Sequence, residues 1–370
     1  MIPDSKSEGA DLNLPFPGKI VIINNLPIHT QNDEEFWAGE QTMAKYGPGS
    51  IIHLNWPTYF IQEREQVEAI ISTLSVNREV KALVINQAIP GCNAAIEKFK
   101  KIRDDVFIVY CIPQEDPRES AAIANLVLMP DRLRMGQTII KQAKKQGAAT
   151  FIHYSFKRHM AAELEAGCRD VMKETCAAEG IKFIDAGALD PQGNAGVYNA
   201  EMFILEDVPR MVAKYGENTS FYCTNCFLQV PLIKAVTDSH AIFSQPCCPS
   251  PFHGFPEALN IEKGEGIPDI NYMISETRRI AAAKNMTGRL STWPVPLPMM
   301  LTSISVDYAA RWINGEVPKT GIDDKALLEC LKTYIRECTG HDINVNLFPF
   351  TDGNKEYENF KFLLMDYLDY

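Results

Sequence analysis

The chain has 370 residues, 46% of them aliphatic, aromatic or cysteine and 22% charged, a balance that fits two or three packed domains and excludes a disordered chain. Its net charge of -11, with no basic stripe to offset it, repels phosphate backbones, so nucleic acid is not expected as a direct partner. No apolar run reaches the roughly eighteen residues of a membrane span.

Residues 1–18 read as a disordered lead-in without the basic region and apolar core of an intact secretory signal. The chain as it stands is expected in the cytoplasm, and outside it if a signal has been removed. Ten scattered cysteines suit a reducing compartment, although an even count also permits disulfides.

A first strand over 19–25 leads to a helix that Asp33, Glu34 and Glu35 open and Gly47 stops. Strands follow at 51–57, 82–88 and 107–113, with a shorter one ending at Pro130, and helices over 62–74 and 93–102 lie between them. Helix and strand alternate again after a helix over 132–146: strands at 151–156, 182–188, 220–222 and 241–243, helices ended by Gly180 and Gly216. This spacing is that of right-handed crossover units, so the sheets are expected to be parallel. The segment 288–294 then leads into an apolar helix carrying Met299, Met300, Ile304, Tyr308 and Ile313 on one face and closed by Gly315. A helix over 323–339, a strand over 343–350 and a terminal strand over 357–370 complete the chain.

The expected fold class is therefore α/β, with two Rossmann-like lobes joined by a three-strand hinge. Residues 19–130 and 294–318 are assigned to the first lobe, and 131–293 and 319–370 to the second, with crossings near Pro130, Trp293 and 315–322. In such sheets ligands sit beyond the carboxyl ends of the strands. The first lobe offers Asn24, Asn25, Trp56, Asn86, Gln87 and Tyr110 there. The second offers Tyr154, Ser155, Arg158, Asp185, Thr224, Asn225 and Gln245. Amides, hydroxyls and aromatic faces suit a small polar organic ligand, and an arginine beside a helix start suits a carboxylate or phosphate.

The strings NQAIPG (86–91), FIHYSFKRHM (151–160), QPCCPSPFHGFP (245–256) and MTGRLSTWPVP (286–296) resemble an uncharacterised bacterial family, domain of unknown function number 3798. The order of elements resembles the type I periplasmic-binding-protein fold of sugar receptors and repressor effector domains. The resemblance implies a solute-binding or sensory receptor that closes on its ligand, with a membrane transporter or receptor as partner. Two other readings stay open: a ligand-responsive regulator without its own DNA reader, and a thiol oxidoreductase using Cys223 and Cys226 at a strand-to-helix turn. Cys247, Cys248 and His253 could add zinc ligands, but their spacing matches no standard zinc module. Phosphate-loop, dinucleotide and nucleophile-elbow signatures are missing, so no cofactor is expected and no catalytic residue is assigned.

Overall fold

The computed structural model describes residues 15–25, 33–57, 63–264 and 266–370; most of the expected lead-in, and the expected helix start at Gln62, lie outside the described residues. The first lobe is built from β1 (Lys19–Asn24), α1 (Asp33–Tyr46), β2 (Ile51–Asn55), α2 (Arg64–Ser75), β3 (Val80–Asn86), α3 (Cys92–Lys100), β4 (Phe107–Cys111), α4 (Pro117–Ile123) and β5 (Leu126–Pro130). The second contains α5 (Arg132–Lys145), β6 (Thr150–Ser155), α6 (Lys157–Met160), α7 (Glu163–Glu179), β7 (Lys182–Gly187), α8 (Gly196–Tyr215) and β8 (Thr219–Cys223). It continues through a 3-10 turn (Cys226–Leu228), α9 (Gln229–Asp238), β9 (Ile242–Phe243), α10 (Phe255–Ala258), α11 (Ile270–Ala283) and β10 (Ser291–Thr292). Then come α12 (Leu297–Asn314), α13 (Asp324–Thr339), β11 (Val345–Asp352), β12 (Lys355–Met365) and β13 (Leu368–Asp369).

Among the described residues, seven strands form the first sheet in the order β11-β12-β5-β4-β3-β1-β2, and four form the second in the order β7-β6-β8-β9. Every pairing in both is parallel except the edge pair β11 and β12. All residues of β4, β5, β6 and β8 are buried, because helices cover both faces of each sheet. Glycines with positive φ close the long helices, as at Gly180 (φ 69°) and Gly315 (φ 75°), where the left-handed conformation needs no Cβ.

The structure corrects the assignment of 319–370 to the second lobe. β12 pairs in parallel with β5, Phe360 opposite Val127 through Leu363 opposite Pro130, so the apolar run FKFLLM extends the first sheet. α13 packs on α12, which itself lies against α1, β3 and β4. The third crossing therefore falls between Met365 and Leu368, where β13 pairs with β10 of the second lobe, and not at 315–322. An unpaired β5 edge would leave its backbone groups open, and β12 satisfies them.

The apolar face expected for α12 is the one it buries: Met299, Met300, Ile304 and Tyr308 are inaccessible, and only Ile313 is half-exposed. Among the described residues no helix is long and apolar enough to cross a membrane.

Candidate functional site

A cavity of about 620 Å³ lies between the two lobes, against the carboxyl ends of both sheets. Asn25, Gln87, Gln114 and Glu115 line it from the loops after β1, β3 and β4; Arg132, Arg158, His159, Gln192, Thr224 and Asn225 line it from the second lobe. Two lining residues hold strained backbone: Gln87 (φ 47°) and Ile112 (φ 50°) are left-handed without being glycine. For a β-branched isoleucine this conformation is a true outlier, and such strain costs about 1–3 kcal/mol. Cross-strand bonds hold both residues in place, from Gln87 N to Cys111 O (2.6 Å) and from Ile112 N to Leu128 O (2.8 Å).

Of the thirteen residues expected at the site, Asn25, Gln87, Arg158, Thr224 and Asn225 line the cavity. The other eight do not. Asn24 turns inward, its Nδ2 donating to Glu35 O (2.6 Å) and its Oδ1 accepting from Asn86 Nδ2 (2.6 Å). Asn86 also accepts from Thr302 Oγ1 of α12, and Trp56, fully buried, donates its Nε1 to Asn86 O. These three fasten β1, β3 and α12 together. Tyr110 is sealed in the core beside Cys92, and Tyr154 donates to the buried Asp207 (2.6 Å). Ser155 is buried, and its carbonyl accepts from Ala188 N. Asp185, on the edge strand β7, is held by His153 of β6 and Arg169 of α7. Gln245 is buried, with neither amide atom bonded to another group among the described residues.

Some lining groups are already engaged. Glu115 accepts from Gly91 N (3.0 Å) and Asn93 N (2.7 Å), placing its charge at the start of α3. Arg158 makes a two-pronged contact with Asp190, 2.9 Å for each nitrogen. Arg132 was missed because it lies just beyond the expected crossing at Pro130. It is buried, its Nη1 donates to Cys247 O (2.8 Å) and its Nε lies 3.4 Å from Glu165, which leaves further guanidinium donors for a ligand. Glu35, behind Gln87, is raised to about 8 by burial, so this carboxyl holds its proton near neutral pH.

His159 carries a pH signature. Burial first, then the Arg158 charge, lower its pKa from 6.5 to about 4, while Thr224 Oγ1 sits 3.0 Å from its Nδ1. The folded chain therefore binds this proton less tightly than the unfolded chain. The contribution of His159 to stability should be level above pH 6.5, fall as pH drops from about 6.5 to about 4, and level off below. The full shift corresponds to ~3 kcal/mol, reduced to about 1–2 kcal/mol because the ring is partly exposed. His159→Gln should flatten that limb in urea titrations at stepped pH; an unchanged limb would assign the acid loss elsewhere.

The thiols group differently from the expected Cys223 and Cys226 pair. Cys223 is fully buried, and burial pushes its thiol up to about 12, the opposite of an activated nucleophile. The Cys226 sulfur instead lies 3.4 Å from Cys247 and 3.9 Å from Cys248. All three line the cavity wall, with His253 Nε2 3.7 Å from the Cys247 sulfur. Hydrogen bonds from Cys226 and Cys247 hold the Cys248 thiol well below its ordinary range.

Two lobes of mainly parallel sheet, linked by three crossings and facing each other across a polar cleft, have the fold of the type I periplasmic binding proteins. The chain belongs to the family described as proteins of unknown function, DUF3798, whose sequence profile matches residues 19–291. It is 33% identical to an uncharacterized protein of Treponema pallidum (strain Nichols) over 163 residues, 44% of this chain and 76% of that one. Its fold is similar to that of a candidate transcriptional regulator from Clostridium difficile 630, with a TM-score of 0.77 and 18% identity over 96% of this chain and 99% of that one. It is also similar to an ABC transporter periplasmic solute binding protein from Actinobacillus succinogenes 130z with bound D-allose, with a TM-score of 0.54 and 14% identity over 84% of this chain and 99% of that one. At these identities the two solved structures speak to fold alone.

Proposed function

We propose that the chain is a receptor that holds a small polar, hydroxylated ligand between its lobes and closes on it by hinge motion. One observation carries this reading: polar side chains from both lobes meet around a single cavity at the strand ends, within the 300–1,000 Å³ range of small-molecule sites. The amides of Asn25, Gln87, Gln114 and Gln192 suit sugar hydroxyls, and Phe227 offers an aromatic face on the wall, where Trp56 is expected from sequence. Arg132 and Arg158 extend the ligand class to sugar acids. The D-allose held by the structurally similar solute binding protein agrees with this size and chemistry.

A thermal-shift panel of monosaccharides, polyols and sugar acids tests the reading. A ligand at a hundred times its Kd should add ~2.7 kcal/mol of stability without turnover. No shift from any of them at millimolar concentration would contradict it.

A closure latch is in place at the cleft mouth. Arg118 on α4 of the first lobe reaches Glu163 on α7 of the second (3.0 Å), and Asp352 at the end of β11 also holds it (2.6 Å). Because the groups are solvated, Arg118→Ala should weaken ligand binding only about two- to five-fold, and high salt should erase the difference. Calorimetric titration in low and high salt checks this; an equal loss in both would mean that Arg118 does not act through its charge.

The partner that reads the closed form is, on this proposal, a membrane transporter or receptor, with the chain outside the cytoplasm. The likeness to the Clostridium difficile structure favours a second reading, a cytoplasmic ligand-responsive regulator. Fractionation of native cells separates the two: export supports the first, cytosolic recovery the second.

A further inference from the structure

We propose that Cys226, Cys247 and His253 form a zinc site on the cleft wall, with its fourth position open toward the cavity beside Cys248. Their ligand atoms all lie within 4.8 Å of one another. A tetrahedral ion with Zn–S of about 2.3 Å and Zn–N of about 2.0–2.1 Å places its sulfurs ~3.8 Å apart and sulfur and nitrogen ~3.6 Å apart. The structure has 3.4 Å between the Cys226 and Cys247 sulfurs and 3.7 Å between Cys247 Sγ and His253 Nε2. A disulfide would need ~2.05 Å, and these thiols are free.

The surroundings are those of a metal ligand set. His253 points Nε2 at the thiols while its Nδ1 lies 3.4 Å from Glu34, the carboxylate–histidine arrangement that fixes the tautomer of a metal-bound imidazole. Glu34 is buried, and its second oxygen has no hydrogen-bond partner among the described residues. Arg132 pins the Cys247 carbonyl (2.8 Å) and brings a compensating positive charge close to the sulfurs. Two thiols and one imidazole from a turn and a loop about twenty residues apart match the Cys2His set that keeps one position for water or a bound molecule. On coordination each protonated thiol gives up its proton to solvent, and no electron is transferred.

Glu34 belongs to α1 of the first lobe, and the three ligands to the second. A metal here would thus strengthen a buried tie between the lobes through His253. The site does not depend on the receptor reading, because metal content is measured without any cleft ligand.

The test is elemental analysis of the full chain, purified with its thiols reduced and incubated with Zn2+, alongside titration with Co2+. About one Zn2+ per chain is expected, and the Co2+ form should show thiolate charge-transfer absorption and the intense visible bands of a tetrahedral site. Cys226→Ser and Cys247→Ser should lose the metal; Cys338→Ser, a half-buried thiol outside the cluster, should keep it. Glu34→Gln should weaken binding roughly 10–100-fold while leaving the ligands in place, which keeps the test readable if a cysteine variant misfolds. Three results would each overturn the proposal: no stoichiometric Zn2+ or Co2+ on the reduced chain, full metal content in Cys247→Ser, or a Cys226–Cys247 disulfide in protein isolated without air.

Discussion

Replacing Trp293 with alanine is expected to destabilise the chain by about 3–5 kcal/mol, the range for removing a large buried aromatic side chain. Trp293 is fully inaccessible and sits on the second crossing, between β10 of one lobe and α12 of the other. It belongs to an apolar cluster that runs through both lobes, together with Val295, Leu297 and Met300. A cavity there should both loosen the core and free the crossing strand. Its Nε1 has no hydrogen-bond partner among the described residues, so Trp293→Phe, which removes that donor and keeps a six-membered aromatic ring in the space, should lose less than alanine. Urea unfolding checks this: the alanine midpoint should fall steeply with an unchanged slope. A loss below ~1 kcal/mol would show that the crossing is not packed as described.

Gly254→Val should be the second severe change, at about 2–5 kcal/mol from left-handed strain and overpacking together. Gly254 has φ 81°, and a Cβ there would lie 3.0 Å from Gln229 Cβ, 3.2 Å from its backbone carbon and 3.1 Å from Ile233 Cδ1. The backbone carbon of α9 cannot give way as the end of a flexible side chain can. The loop holding Cys247, Cys248 and His253 must then lift from α9, so cleft and thiol cluster should be lost along with stability. Thermal unfolding and thiol alkylation rates test this together: faster alkylation at a lowered Tm is expected, and unchanged alkylation would mean that the loop does not rest on this contact.

Much of the architecture is legible in the sequence because helix stops and strand patterns are local. Gly180 and Gly315 end helices for a reason carried by one residue, and the apolar face of α12 follows from spacing alone. Lobe membership after residue 319 is not local. Whether β12 pairs with β5 or with a strand of the second sheet depends on which edge is free, and the apolar run 360–365 would satisfy either. The site shows the same limit at the scale of one residue. Asn24 ends β1 and Asn25 follows it, and because successive side chains in extended backbone point to opposite faces, one ties the core while the other meets the cleft. Nothing in the pair says which. Asn86 and Gln87 divide in the same way, and there the change is sharpened by the left-handed turn at Gln87. The thiol cluster was half visible: Cys247, Cys248 and His253 stand close in sequence, but the partner of Cys226 is decided by how the loop after β9 folds back over α9.

The most direct test is a crystal structure with the tightest ligand from the panel. Density is expected between Gln87 and Gln114 on one side and Arg158, Thr224 and Asn225 on the other, with Arg118 and Glu163 still in contact across the mouth. A ligand bound outside this cleft, or held by one lobe with the other turned away, would contradict the account.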